Sequence, residues 1–148
     1  MAHFEASDPL VLANGNHNSI NLSGNGTNTI VVFGNDNVIN ATGGYNRITV
    51  AVGTGDTIVM PGASGGFDEI GLINGASTAL DFRAALATTD WSGNAADLGN
   101  YISVASSGSG ITISLSATSH GAATAIASVT NFGSTQWDLT AVLAHAVT

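Results

Sequence analysis

The chain of 148 residues has no cysteine, and its whole complement of lysine and arginine is two residues, Arg47 and Arg83, against ten acidic ones. Without cysteine there is no disulfide scaffold, no thiolate metal site and no cysteine nucleophile. A formal net charge of −8 leaves no basic surface, which excludes nucleic acid as a partner and attachment to anionic lipid. Lysine is absent and proline occurs twice, at Pro9 and Pro61, so the usual guards of open sheet edges are scarce. No stretch approaches the ~18 consecutive apolar residues of a membrane span. The first residues, Met1 to Pro9, lack the basic and apolar regions of a secretory signal peptide.

Glycine, asparagine and small hydroxyl residues fill the space that charge leaves. There are 19 glycines, and hydrophobic residues reach 44%, too many for a disordered acidic chain. A period runs through the first half. Leu10, Ile20, Ile30, Ile39, Ile48 and Ile58 follow one another at intervals of 10, 10, 9, 9 and 10. Two positions before five of them stand Asn18, Asn28, Asn37, Asn46 and Asp56, and two positions after the six come Leu12, Leu22, Val32, Ala41, Val50 and Met60. Glycines separate the units, and Asp68-Glu69-Ile70 behind Gly65-Gly66 makes a stretched seventh copy.

Apolar residues two apart share one face of a strand, so each unit reads as a short strand with two side chains turned inward. So short a unit cannot bury its face alone and must stack on its neighbours. Strands alternating between two sheets give a coil of about 19 residues. That stack sets Asn18, Asn37 and Asp56 on one edge and Asn28, Asn46 and Asp68 on the other, where amides can form a hydrogen-bonded ladder. An antiparallel meander with Gly/Asn turns is the competing arrangement. The expected fold is mainly all-β: a short parallel β-roll or β-solenoid, then a small β-rich domain with one or two short helices. The expected divisions are an arm over 1–9, repeats over 10–74 and a C-terminal domain over 75–148.

The stretch Gly24-Asn25-Gly26-Thr27-Asn28-Thr29-Ile30 resembles the glycine- and aspartate-rich nonapeptide of RTX proteins, with Asn in place of the usual acid. The resemblance implies a parallel β-roll whose turn aspartates and backbone carbonyls hold calcium. Neutral amides are weaker ligands for a hard cation than carboxylates. The resemblance therefore leaves Asp56 and Asp68 as metal-ligand candidates, with Asp36 behind them.

Beyond residue 75 the pattern changes. Ser77 to Ala87 predicts a short helix, with Ser77 or Thr78 as N-cap and Asp81 in its first turn. Three strand-like runs follow, Tyr101 to Ser106, Ile111 to Ser116 and Ala122 to Thr130, separated by glycine turns that predict a hairpin meander. The run Trp137 to Ala146 reads as a terminal turn or helix with Asp138 as cap. Helix, Asp97-Leu98-Gly99-Asn100-Tyr101-Ile102-Ser103-Val104, hairpin and closing Asp138-Leu139-Thr140-Ala141-Val142-Leu143 resemble the C-terminal targeting domain of type I secreted bacterial proteins. That resemblance implies an uncleaved C-terminal export signal, the type I secretion machinery as a partner, and a secreted, extracellular or cell-surface location.

Candidate catalytic groups are sparse. His3, His17, His120 and His145 form no metal-binding pair, and no nucleophile elbow or phosphate loop occurs. Asp68 and Glu69, adjacent in a strand, face opposite ways and cannot act as a carboxylate pair. Trp91 and Trp137 suit core packing or stacking on a sugar. No catalytic residue is expected. A solenoid with unguarded ends points to a homo-oligomer or polymer, and so to a secreted structural protein that self-assembles into a filament, matrix fibre or surface layer. The alternatives are a calcium-stabilised adhesin or carbohydrate-binding module, and a small polysaccharide-active enzyme.

Overall fold

The computed structural model describes residues 10–22, 24–73, 77–108, 110–131, 138–144 and 146–148. The arm over 1–9, with His3, and the positions Trp137 and His145 lie outside the described residues. Eight strands wind the first half: β1 (Leu10–Asn14), β2 (Ser19–Asn21), β3 (Thr27–Phe33), β4 (Val38–Asn40), β5 (Tyr45–Val52), β6 (Thr54–Val59), β7 (Phe67–Leu72) and β8 (Ser77–Asp81). Odd strands pair in parallel in one sheet and even strands in the other, so the chain is a parallel β-solenoid of about 4 turns. Parallel pairing excludes the meander for this half.

The isoleucine rhythm is what stacks. Ile20, Ile39, Ile58 and Leu80 form one in-register column, and Val11, Ile30, Ile48 and Ile70 the opposing one. All eight are at most 2% exposed. Each such side chain contributes roughly 1.5–3 kcal/mol by leaving water. Coils are 18 or 19 residues long between Val11 and Ile58 and lengthen to 22 in the last one, where Pro61 to Gly65 insert a turn closed by Gly65 N–H donating to Gly62 O.

Two expectations are corrected here. Leu10 and Leu12 do not point inward: they are 62% and 59% exposed, and Val11 and Ala13 take the core positions. Val11 pairs with Ile30, and a slip of one residue turns every side chain of a strand to the other face. Ser77 to Asp81 is a strand, not the start of a helix. Thr78, Leu80 and Phe82 alternate inward against β6, and this pairing overrides the helix preference of Ala and Leu. The coil thus runs past residue 74.

The rest of the chain closes one end. Helix α1 spans only Arg83–Leu86, and a 3₁₀ helix, unforeseen, spans Ala95–Asn100 with Asn94 as its side-chain cap. β9 (Ile102–Ser107), β10 (Gly110–Ser116) and β11 (Ala123–Asn131) form the expected antiparallel meander. β11 also pairs in parallel with β7, so the meander extends the solenoid's own sheet: the order is β1-β3-β5-β7-β11-β10-β9. Helix α2 (Leu139–Ala144) starts where Asp138 Oδ1 accepts from Ala141 N at 2.9 Å, and β12 (Ala146–Val147) adds to β8 in the second sheet, β12-β8-β6-β4-β2. One core cluster runs through both halves. Among the described residues no helix is long and apolar enough to cross a membrane.

Candidate functional site: amide ladders, a rim and a groove

The turns repeat as strictly as the strands. Gly15-Asn16-His17-Asn18, Gly34-Asn35-Asp36-Asn37 and Gly53-Thr54-Gly55-Asp56 share a backbone whose third residue is left-handed, with φ of 56°, 56° and 76°. His and Asp tolerate that conformation better than most residues, and glycine does so freely. The fourth residue of each turn forms a rung. Asn18 Nδ2 donates to Asn37 Oδ1 at 3.0 Å, and Asn37 Nδ2 donates to Asp56 Oδ1 at 2.9 Å. The backbone N–H of each Asn donates to the same oxygen, at 2.9 and 2.8 Å. On the opposite edge Asn28 Nδ2 donates to Asn46 Oδ1 at 2.9 Å, and Asn46 Nδ2 to Asp68 Oδ1 at 2.8 Å.

Both ladders run the same way and both end on a carboxyl. Asp56 and Asp68 are 0% exposed, and in each the second oxygen, Oδ2, is buried with no hydrogen-bond partner. The next rung after Asp56 is Thr78, whose Oγ1 is likewise buried and unpartnered; the next after Asp68 is Ala127, a methyl group. Burial pushes the Asp56 carboxyl up, against the two donations from Asn37, and the charge of Asp36 adds to the rise. Burial raises Asp68 to about 7, against the donation from Asn46.

A third, exposed ladder passes through the second turn position: Asn35 N–H donates to Asn16 Oδ1 at 2.8 Å, and Thr54 N–H to Asn35 Oδ1 at 3.0 Å. It was missed from the sequence, although its 19-residue spacing is that of the buried rungs. Thr78 was missed as a rung because its hydroxyl breaks the Asn/Asp pattern.

The metal-ligand candidates are not brought together. Asp56 and Asp68 sit on opposite edges of the roll, and Asp36 is at the surface, 3.9 Å from His17 Nδ1. Calcium takes about six to eight oxygens, with carboxylates prominent among them. Each edge offers one buried carboxyl, and the rung before it aims N–H groups at that carboxyl. Among the described residues no group of three or more His, Asp or Glu side chains converges on one point. The donor set does not fit calcium.

Two surface features remain. At the end away from the meander, β1 and β2 are the outermost strands of their sheets among the described residues, with Leu10 and Leu12 on the open face. On the same outer face of the β1 sheet lies a shallow groove of about 360 Å³ lined by Arg47, Thr49, Glu69, Gly71, Ser128 and Thr130. Arg47 Nε donates to Glu69 Oε2 at 2.9 Å, and the neighbouring Tyr45 and Phe67 rings stack with centroids 6.0 Å apart. Hydrogen bonding to Tyr45 holds the Glu69 carboxyl below its ordinary range, and Arg47 lowers it further. His17 and His120 are exposed turn residues with φ of 56°. Trp91 is half-buried against the core, its Nε1 donating to Asn94 O at 3.0 Å. No family model, no curated protein and no solved structure matches this chain.

Proposed function

We propose that this is a structural, non-enzymatic protein that polymerises outside a bacterial cell, exported through an uncleaved C-terminal type I signal. The observation that carries the reading is the direction of the edge strands among the described residues. β9 runs antiparallel to β10, which runs antiparallel to β11, and β11 is parallel to β7. β9 therefore points the same way as β1, at the opposite edge of the same sheet. A second copy laying its β1 beside β9 would continue that sheet in the parallel sense of the coil. Such a head-to-tail contact does not close on itself and builds a filament.

The edge strands lack the charged and proline guards of open edges, although β2 and β12 are short. β1, β2, β9 and β12 read Leu-Val-Leu-Ala-Asn, Ser-Ile-Asn, Ile-Ser-Val-Ala-Ser-Ser and Ala-Val, with no charge and no proline among them. Among the described residues the β1 sheet has seven strands and outruns the five-stranded second sheet, so it carries the join. Sedimentation and electron microscopy test the reading. Concentration-dependent polymers are expected, abolished by Leu12→Lys on the exposed face of β1 without loss of the melting transition. A wild-type chain that stays monomeric at millimolar concentration overturns it.

The groove favours a second reading, a carbohydrate-binding module. Hydroxyls of Thr49, Ser128 and Thr130 beside a planar Arg–Glu pair and a stacked aromatic pair suit a neutral sugar. Polysaccharide binding by a monomer, lost in Ser128→Trp, would favour it over assembly.

A further inference from the structure

We propose that Asp56 and Asp68 stand in the folded roll as neutral carboxylic acids, each holding on Oδ2 a proton that takes the place of the amide N–H of the preceding rungs. The resemblance to calcium-binding rolls implies a cation here; the ladder's polarity calls for a proton.

The preceding rungs show what Oδ2 replaces. In Asn18 the Nδ2 group donates to the carbonyl oxygen of Gly15, three residues back, at 3.0 Å, besides serving the next rung. In Asn46 it donates to the carbonyls of Gly43, again three back, at 3.0 Å and of Ala41. In these two rungs, one in each ladder, the amide nitrogen lies among acceptors. Asp56 and Asp68 put an oxygen there, with Gly53 and Gly65 three residues back. The Asp56 Oδ2 atom lies beside Gly53, 3.0 Å from where a Cβ on that glycine would stand. An ionised Oδ2 buried at a donor's place carries two penalties, an unsatisfied polar atom and a charge out of water. A proton on Oδ2 removes both penalties: it supplies the missing donor and spares the buried site a charge.

The surroundings agree. Asp56 faces Asn37 and the charged Asp36 on the β4 side and Thr78 on β8; Asp68 faces Asn46 on β5 and Ala127 on β11. The single charge among these is negative. Arg47 is engaged by Glu69 on the outer face, Arg83 is engaged by Asp81, and His17 lies at the surface near Asp36. Nothing cationic faces either carboxyl from the described elements. The rise of Asp68 to about 7 follows from the same burial.

The consequence is a roll that tightens in acid. A carboxyl whose folded pKa is raised contributes stability that is full below the unfolded value of about 3.9 and is lost as pH climbs through the folded value. Each such group costs the folding constant about tenfold per pH unit inside that window. The test is carboxyl-carbon NMR on the full chain, with denaturant melts from acid to alkaline pH on wild type, Asp56→Asn and Asp68→Asn. The expected result is an Asp68 carboxyl that titrates near 7 and an Asp56 carboxyl that titrates above the ordinary range. Each Asn variant is expected to flatten the pH slope and to match or exceed wild type in alkali, because its Nδ2 restores the donor permanently. Either carboxyl ionising at an ordinary midpoint overturns the proposal. So does an alkaline wild-type roll that calcium stabilises and the Asn variants do not reproduce. Should a variant fail to fold, the wild-type NMR titration still decides, and none of these readouts depends on whether the chain polymerises.

Discussion

In the wound half, the buried rungs are answered one coil away, across 18, 19 or 22 residues of sequence. In the closing half four side-chain hydrogen bonds are local: Thr88 to Ala85, Thr89 to Leu86, Trp91 to Asn94 and Ser116 to Thr118 span two or three residues. The difference teaches what kind of stability each half has. The rung-to-rung bonds have no acceptor until the next coil is laid down, so they form only as coils stack. Local bonds form as soon as their own turn does, and the closing half can lose one of them without disturbing its neighbours.

The largest expected effect separates the halves by their glycines. Gly53 has φ +140°, and a Cβ there would run into the backbone carbonyl of Gly34 one coil below. Gly93 has φ +89° in a loop of the closing half, with nothing within 4 Å of where its Cβ would be. Gly53→Ala should therefore cost about 3 kcal/mol or more, because backbone strain and a backbone clash combine. Gly93→Ala carries only the strain of a left-handed residue, about 1 kcal/mol. Urea denaturation of both variants checks this, and equal losses would mean that the coils are not packed turn on turn.

Next comes the loss of a rung. Asn37→Ala removes the acceptor of Asn18 and the donor to Asp56 together, in a site with 0% exposure. About 2–4 kcal/mol should go, since buried groups on both sides are left unsatisfied. Ser116→Ala removes a single local bond, from its Oγ to Thr118 O, and should cost about 1 kcal/mol. The same melts read both. If Asn37→Ala were as mild as Ser116→Ala, the ladder would be ornament on a roll held by its isoleucines.

Much of this contrast was legible in the sequence, and the places where it was not have physical causes. Ile20, Ile30, Ile39, Ile48 and Ile58 were readable because they recur every 9 or 10 residues, each with Asn or Asp two positions before it. Leu10-Val11-Leu12-Ala13 offers apolar residues to both faces, so alternation cannot choose; the 19-residue step from Val11 to Ile30 does. Leu80 was hidden because the last coil is stretched to 22 residues and its neighbours are good helix formers. The Asn positions were visible as ladder rungs. The burial of Asp56 and Asp68 was not, because a turn aspartate reads as a solvated one until the strand stacked beyond it is known.

The smallest effects belong to the arginines, and they invert the contrast between the halves. Arg83 Nη2 meets Asp81 Oδ2 at 2.6 Å, and the Asp81 side chain is only 7% exposed. Arg83 holds that carboxyl below its ordinary range, against the rise from burial. A lowered folded pKa gives stability that is present above the unfolded value of about 3.9 and disappears as pH falls through the folded one. Arg83→Gln should therefore lower the melting midpoint at neutral pH and leave the strongly acid midpoint alone. Arg47 and Glu69 are 64% and 41% exposed, where solvent and salt screen the pair. Arg47→Gln should leave the neutral melting midpoint unchanged, although Arg47 belongs to the wound half. An exposed outer-face pair is no part of the ladder, so a clear loss there would show that the outer face of the roll carries stability that the buried rungs and isoleucines do not.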